Sequence, residues 1–206
     1  GVWLRELSAL VGAVLAHLVV FGIAIIPGFM NAFLVTSLLL DRRPQIRTHA
    51  DRLPGVSILV AAYNEATSIA STIDSIARQD YPGPLQVIVI DDGSTDGTGA
   101  VLAGIRQPWL EVIALPRNGG KAAALNQGLQ QVRFGLTVTL DGDSYLYRHA
   151  LRHLIGRYLS DPPDTRAVAG AVLIRNSRKN LVTAAQEWDY FHGIAAVKRL
   201  QSLYQG

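Results

Sequence analysis

The 206-residue chain carries 19 basic and 16 acidic side chains, a formal net charge of +3 and no cysteine. That charge is too small to argue for nucleic-acid binding, and a chain without cysteine has neither disulfides nor thiolate metal sites. The length predicts one domain plus a further element, and the mean hydropathy of +0.22, high for a soluble domain, comes mostly from the N-terminus.

The N-terminal segment predicts a transmembrane anchor over residues 1–40. The 33 residues from Ser8 to Leu40 contain no Asp, Glu, Lys or Arg, and His17 is their only ionisable side chain. A membrane-spanning helix needs about 20 apolar residues, whereas the apolar region of a secretory signal has only about 7–15. The Pro27–Gly28 pair divides the segment, which predicts one kinked helix or a span followed by an interfacial piece.

Basic residues on the C-terminal side of the anchor predict its orientation. They are Arg42, Arg43, Arg47 and Arg52, whereas the N-terminal side has Arg5 offset by Glu6. The positive-inside rule then places the linker, 41–55, and everything after it in the cytoplasm, with the anchor in the cell (inner) membrane. The arginines can equally favour the C-terminal end of a helix dipole, and both roles are compatible.

Beyond the linker, residues 56–206 alternate apolar strands with amphipathic helices. The strands are predicted at 56–61, 85–90, 111–115, 136–140 and 167–174. The helices are predicted near 64–76, after an N-cap at Ser94, and at 122–131, 151–159 and 181–203. This alternation implies an α/β fold, a Rossmann-like and mostly parallel sheet with helices on both faces. Ligands of such sheets bind at the carboxyl ends of the strands.

Acidic clusters follow two of these strands. Asp91 and Asp92 come directly after 85–90, and Asp141 and Asp143 come directly after 136–140. Hard cations such as Mg²⁺ and Mn²⁺ are held by carboxylate oxygens together with substrate phosphates. The pattern therefore predicts a site for a nucleotide and a divalent metal. The first pair has two rival interpretations, a turn that satisfies its own backbone and a phospho-acceptor site.

Two further strand-to-helix junctions are expected at the same edge of the sheet. After the first strand, Tyr63 can stack on a base, and Glu65 can contact the ligand or simply complement a helix dipole. Gly119 and Gly120 precede Lys121 at the other junction, where backbone N–H groups are presented to anions. Lys121 can then neutralise a diphosphate, although the spacing is not that of a Walker loop.

Four motifs in this order resemble glycosyltransferase family 2. They are 56–65 (VSILVAAYNE), 91–96 (DDGSTD), 118–126 (NGGKAAALN) and 141–143 (DGD). Within the family, the N-terminal span and the stretches 168–176 and 186–190 resemble processive synthases, which include poly-N-acetylglucosamine, chitin-oligosaccharide and hyaluronan synthases. The resemblance covers about residues 20–204.

The resemblance implies a GT-A fold, a nucleotide-diphosphate sugar donor, Mg²⁺ or Mn²⁺ as cofactor, and inversion at the anomeric carbon. By position, Asp91 and Asp92 would hold the uridine, with Asp92 at the base, and Lys121 would lie near nucleotide or phosphate. Asp141 would lie near ribose and metal, and Asp143 would bind the metal. The implied nucleotide-sugar site comprises Ala61, Tyr63, Glu65, Asp91, Asp92, Lys121, Asp141 and Asp143, with Asp141 and Asp143 as the metal ligands.

The chain departs from the family pattern at its C-terminal end. Neither the later acidic motif that supplies the family's general base nor the Gln/Arg-x-x-Arg-Trp motif occurs before Gly206. We therefore expect a fragment, with the donor-binding part of a GT-A domain at 56–206 and no catalytic residue of its own. The general base would lie downstream of Gly206.

The expected function is that of a membrane-anchored inverting glycosyltransferase. It would transfer a sugar from a UDP-sugar to a growing β-linked polysaccharide, most plausibly an N-acetylglucosamine polymer. The expected partners are the UDP-sugar donor, the polysaccharide acceptor and membrane lipid, with no nucleic acid. Two alternatives stay open at this point: transfer of a single sugar to a polyprenyl phosphate, and a non-catalytic nucleotide-binding membrane subunit.

Overall fold

The computed structural model describes residues 2–40, 53–171, 181–191 and 193. The chain forms two compact units, Gly1–Arg43 together with Gly170–Gly206, and Pro44–Ala169. The two units are described separately. The domain bounds expected from the sequence stay a prediction.

The first unit begins with a long run of helix. Its elements are α1 Val2–Val11, α2 Ala13–Val20, a π-helical turn Phe21–Ile25 and α3 Ile26–Leu40. Within this run, Ala13–Ser37 is long and apolar enough to cross a bilayer. By length and composition it is a candidate membrane span, in agreement with the predicted anchor.

The break in this run lies at Gly12 rather than at the Pro27–Gly28 pair. Gly12 has a φ of +85°, which glycine adopts without steric penalty, and it separates α1 from α2. Pro27 lies in the first turn of α3. α3 follows directly on the π-helical turn, in which the Ile26 N–H donates to the Phe21 carbonyl, and such turns occur within continuous α-helices. The helix therefore continues through the proline.

The second unit is built on a four-stranded parallel sheet. Its strands are β1 Val56–Ala62, β2 Leu85–Asp91, β3 Leu110–Ala114 and β4 Leu136–Asp141, in the order β3-β2-β1-β4. β1 is central, and its last residues pair with the last residues of both neighbours, Ala62 with Asp91 and Ala61 with Asp141. This register brings the acidic ends of β2 and β4 to either side of the end of β1.

Helices cover both faces of the sheet. They are α4 Ile69–Ala77, α5 Thr98–Gly104, α6 Lys121–Leu129 and α7 Ala150–Ser160. One buried core packs α4, α5 and α7 against the face of β1 that carries Ile58 and Val60. A second core packs Ala124 of α6 against the opposite face of the sheet, where Leu59 of β1 and Ile90 of β2 lie. The Rossmann-like α/β fold expected from the sequence is confirmed.

Two helices begin later than the sequence predicts. α4 begins at Ile69 rather than near Asn64, because Asn64 has a φ of +56° and lies outside the right-handed helical region. α5 begins at Thr98, and its N-cap position is Gly97 rather than Ser94. The Ser94 hydroxyl instead accepts a hydrogen bond from the Asn64 N–H.

Near the C-terminus, the predicted strand is wrong over its described residues and the predicted helix is present at its start. Of the strand predicted at 167–174, residues 167–171 form no strand and are mostly exposed, and 172–174 lie outside the described residues. A helix, α8, spans Leu181–Phe191 and matches the start of the helix predicted at 181–203. Its predicted continuation beyond 193 lies outside the described residues.

Candidate functional site

A cleft of about 360 Å³ opens at the carboxyl ends of β1, β2 and β4. It is lined by Ala61, Ala62, Tyr63, Glu65, Asp92, Asn118, Gly120, Lys121, Asp141, Gly142 and Asp143. The structure thus brings together every predicted site residue except Asp91. Four lining residues were not predicted, and all are uncharged: Ala62, Asn118, Gly120 and Gly142. Their one signal in the sequence is that each adjoins or lies within a predicted motif.

The loop after β1 is tied to the loop after β2. The Asn64 N–H donates to the Ser94 hydroxyl oxygen at 2.9 Å, and the Asn64 side-chain oxygen accepts from the Thr95 N–H at 2.9 Å. The Glu65 N–H donates to the Thr98 hydroxyl oxygen at 2.8 Å. These cross-loop bonds fix the backbone on which Tyr63, 45% exposed, faces the cleft.

Asp96 strengthens the same tie between the two loops. Its carboxylate accepts from the Ala66 N–H at 3.1 Å and from the Thr98 N–H at 2.9 Å. The hydrogen bond from the Thr98 hydroxyl, the largest cause, together with these N–H bonds holds the pKa of Asp96 below its ordinary value, because each donor favours the charged form. Sequence reasoning missed this role, because Ala66 lies 30 residues before Asp96 in the chain.

Asp91 and Asp92 have different surroundings. The Asp91 side chain is 7% exposed, and its Oδ1 accepts from the Ser94 N–H at 3.0 Å, so it satisfies its own turn. Asp92 is 3% exposed, and its Oδ1 and Oδ2 accept from the Gly119 N–H at 2.9 Å and the Gly120 N–H at 2.8 Å. Of the pair, only Asp92 lines the cleft.

The glycine junction before α6 is therefore directed toward Asp92. Sequence reasoning expected its N–H groups to meet an anionic ligand, whereas the anion that those of Gly119 and Gly120 meet is the Asp92 carboxylate. Gly93 packs against the same junction from the side of β2. It has a φ of +68°, and a Cβ there would lie 2.5 Å from the carbonyl carbon of Arg117.

Lys121 is the cation that this junction presents to the cleft. It is the first residue of α6, and its Nζ forms an ion pair with Oδ1 of Asp141. Both side chains are more than half exposed, at 60% and 54%. Solvent screens such a pair, which contributes little to stability. Either partner can accordingly take a ligand in place of the other at a small energetic cost.

The turn between Asp141 and Asp143 is held close to the end of β1. The Gly142 N–H donates to the Ala61 carbonyl at 3.1 Å, and the Gly142 carbonyl accepts from the Thr72 hydroxyl of α4 at 2.8 Å. A Cβ at Gly142 would lie 3.1–3.2 Å from Glu65 Cγ and the β1 backbone, which is tighter than ordinary contact. The residue between the two aspartates is small because β1 and Glu65 leave no room.

Asp141 and Asp143 offer the oxygen donors that a hard divalent cation needs. Among the residues that the structure describes, the exposed Asp143 carboxylate has no hydrogen-bond or ion-pair partner, and no group of three or more His, Cys, Asp or Glu side chains could hold a metal. Mg²⁺ is commonly bound by one or two carboxylates, with water and substrate phosphates completing the shell. The two-carboxylate set fits such an ion.

Comparison with known proteins identifies the family. The model of glycosyl transferase family 2 matches residues 57–203. The chain belongs to glycosyl transferase family 2. Among solved structures, this family 2 chain resembles a mannosyltransferase from Pyrobaculum calidifontis in complex with GDP-Man and Mn²⁺. The TM-score is 0.57 and the identity 26%, over 73% of this chain and 44% of that one. The family and the GT-A type of fold expected from the sequence are both confirmed.

Curated relatives of this family 2 chain include two synthases. The poly-beta-1,6-N-acetyl-D-glucosamine synthase of Staphylococcus aureus (strain COL) is 32% identical over 165 residues, which cover 80% of this chain and 39% of the relative. The enzyme of the same name from Staphylococcus epidermidis is 29% identical over 179 residues, 86% of this chain and 43% of the relative. The chain therefore spans about two fifths of the length of these relatives.

Proposed function

We propose that this chain carries the donor-binding part of a membrane-anchored, inverting glycosyltransferase. It would act on a UDP-sugar and extend a β-linked polysaccharide, with an N-acetylglucosamine polymer as the product. The observation that carries the proposal is one cleft in which Lys121, Asp141 and Asp143 meet beside the exposed ring of Tyr63. Its support is the polymer named for the curated relatives and the GDP-Man and Mn²⁺ held by the structural neighbour.

The proposal gives most residues of the cleft a role in holding the donor. Tyr63 offers an exposed aromatic face on which a nucleotide base can stack, and Lys121 pairs with the diphosphate. Asp141 and Asp143 hold Mg²⁺ or Mn²⁺, which when bound supplies Lewis-acid stabilisation of the charge on the diphosphate leaving group. Contact of Asp141 with the ribose, and of Glu65 and Ala61 with the donor, belongs to the same proposal.

Sugar transfer with inversion requires little more of these residues than positioning. The bond between the anomeric carbon and the diphosphate oxygen breaks with its electron pair going to the diphosphate, a bond forms from an acceptor hydroxyl oxygen on the opposite face, and the hydroxyl proton passes to a general base. Lys121 stabilises the negative charge that collects on the leaving diphosphate. The turn at Gly142 is fixed to β1 and α4. It therefore holds the carboxylates of Asp141 and Asp143 in place, and they need not reorganise during the reaction.

Donor binding by the full chain in detergent tests the proposal. In the presence of Mn²⁺ we expect calorimetry to show UDP-N-acetylglucosamine binding at least about tenfold more tightly than GDP-mannose, about 1.4 kcal/mol. Tighter binding of GDP-mannose would overturn the choice of UDP-sugar. Failure of both donors to bind would overturn the proposed function itself.

The membrane topology is a separate part of the proposal. The candidate span Ala13–Ser37 is followed by Arg42, Arg43, Arg47 and Arg52, so the positive-inside rule predicts that the cleft faces the cytoplasm. Two reporters fused after Gly206 in a bacterial host test this. A green fluorescent protein fusion should fluoresce, and an alkaline phosphatase fusion should be inactive. Phosphatase activity would contradict this orientation. Replacing the four arginines with glutamine should weaken the preference.

A further inference from the structure

Asp92 lines the cleft, yet both oxygens of its carboxylate are engaged by the protein backbone. One oxygen accepts from Gly119 and the other from Gly120, at 2.9 and 2.8 Å, and only 3% of the residue is exposed. Charge-assisted bonds of this length to consecutive N–H groups are strong and geometrically specific. The carboxylate therefore fixes the position of the junction that precedes α6.

We infer that Asp92 is a positioning residue that acts through Lys121. By holding Gly119 and Gly120, it fixes the first turn of α6 and so places the Lys121 ammonium over the cleft, where it pairs with Asp141. The inference rests on the proposed function, because the diphosphate of the donor is the group that Lys121 is placed to bind.

The junction needs such a restraint because of its sequence. Two consecutive glycines leave the backbone unusually free in the unfolded loop. Gly120 has φ +87° and ψ 156°, a region that only glycine occupies readily, and it stands at the N-cap position without a side-chain cap. The Asp92 carboxylate supplies what the cap residue lacks, an acceptor for orphan N–H groups and a negative charge beside the positive end of the helix dipole.

Two contacts hold the junction from other directions. The Asn118 side-chain oxygen also accepts from the Gly120 N–H, at 3.1 Å, and Gly93 lies directly against the backbone of Arg117 and Asn118. The Asp92 carboxylate, the Asn118 side chain and the close approach of Gly93 together hold the backbone at the start of α6. Lys121 is the residue whose side chain depends on that position.

Asp92→Asn is the variant that separates this role from a contact with the base. Asparagine keeps the shape but has one acceptor oxygen and one N–H₂ donor. The N–H of either Gly119 or Gly120 would therefore face another donor. The junction would lose one of its two hydrogen bonds to residue 92. A direct base contact also predicts weaker UDP binding by this variant, so UDP affinity alone does not distinguish the two roles.

A double-mutant cycle on the full chain distinguishes them. Binding of UDP and of uridine, both with saturating Mn²⁺, is measured for wild type, Asp92→Asn, Lys121→Gln and the double variant. We expect Asp92→Asn to weaken UDP binding about tenfold and uridine binding less than about twofold. The double variant should bind UDP no more weakly than Lys121→Gln, because contacts that act as a unit are not additive. Asp74→Asn, which removes an exposed carboxylate paired with Arg78 on α4, is the charge-matched control.

A second readout needs no ligand. Hydrogen exchange of the Gly119 and Gly120 amides, followed by NMR, should accelerate at least about tenfold in Asp92→Asn and stay unchanged in Asp74→Asn, because exchange reports local opening. Unchanged exchange, additive losses in the cycle, or a matching loss of uridine binding would overturn the inference. If wild type binds no UDP, the proposed function is wrong, and the exchange rates still decide whether Asp92 holds the junction.

Discussion

Asp143→Asn is expected to lower the affinity for UDP in the presence of Mn²⁺ by on the order of 100-fold, about 2.8 kcal/mol. In the proposed site a hard cation depends on the charge of its few carboxylate ligands, and the amide removes half of the charge that Asp141 and Asp143 supply. Because the Asp143 side chain is exposed and makes no hydrogen bond or ion pair within the described part of the chain, the fold should be unaffected. Calorimetric titration of UDP with Mn²⁺, and again with EDTA, measures the effect.

The control for this variant is Asp164→Asn, which removes another exposed carboxylate that does not line the cleft. It should bind UDP as wild type does in both conditions. With EDTA, wild type and Asp143→Asn should become equal. Binding that is independent of metal and insensitive to Asp143 would mean that the two carboxylates do not form a metal site.

Gly93→Ala is expected to lower the free energy of unfolding by about 3 kcal/mol. A φ of +68° disfavours any residue with a Cβ, at roughly 1–2 kcal/mol. The added carbon would also lie 2.5–2.7 Å from backbone atoms of Arg117 and Asn118, which cannot move aside as a flexible side chain would. Overpacking of this kind typically adds about 1–3 kcal/mol. Denaturant unfolding followed by circular dichroism gives the measurement.

Gly120→Ala is the matched comparison. Gly120 has a φ of +87°, so alanine is strained there too, but nothing lies within 4 Å of the added carbon. Alanine at this position should therefore lower the free energy of unfolding by the backbone penalty alone, about 1–3 kcal/mol in a region that only glycine occupies readily. A loss for Gly93→Ala no larger than about 1–2 kcal/mol, the penalty of a positive φ alone, would show that the backbone of Arg117 and Asn118 moves aside at little cost.

The strands of the second unit were predictable to within a residue or so from the sequence. Runs such as Val87–Ile90 are apolar on both sides, as expected of parallel strands covered by helices on both faces, and acidic residues mark where β2 and β4 end. The site follows from this topology, because parallel strands end at one edge of the sheet. The cleft at that edge therefore contains Asp92, Asp141 and Asp143 as expected.

Contacts between distant loops could not be predicted from local patterns. The apolar stripe of α4 is visible in the sequence, but its start depends on Asn64, whose positive φ accompanies bonds to Ser94 and Thr95. The difference between Asp91 and Asp92 has a simpler origin. Neighbouring residues of an extended chain point in opposite directions, so two adjacent aspartates at a strand end do not both face one cleft. Asp92 lies two residues after Ile90, on the face that packs against α6, so it is Asp92 that meets the Gly119–Gly120 junction.

Within the described part of the chain, the lining of the cleft comes from one stretch, between Ala61 and Asp143. Under the proposed function, the choice of nucleotide sugar is thus encoded as a contiguous block. A single recombination event with breakpoints on either side of these two residues would therefore transfer the whole described lining from one family 2 chain to another.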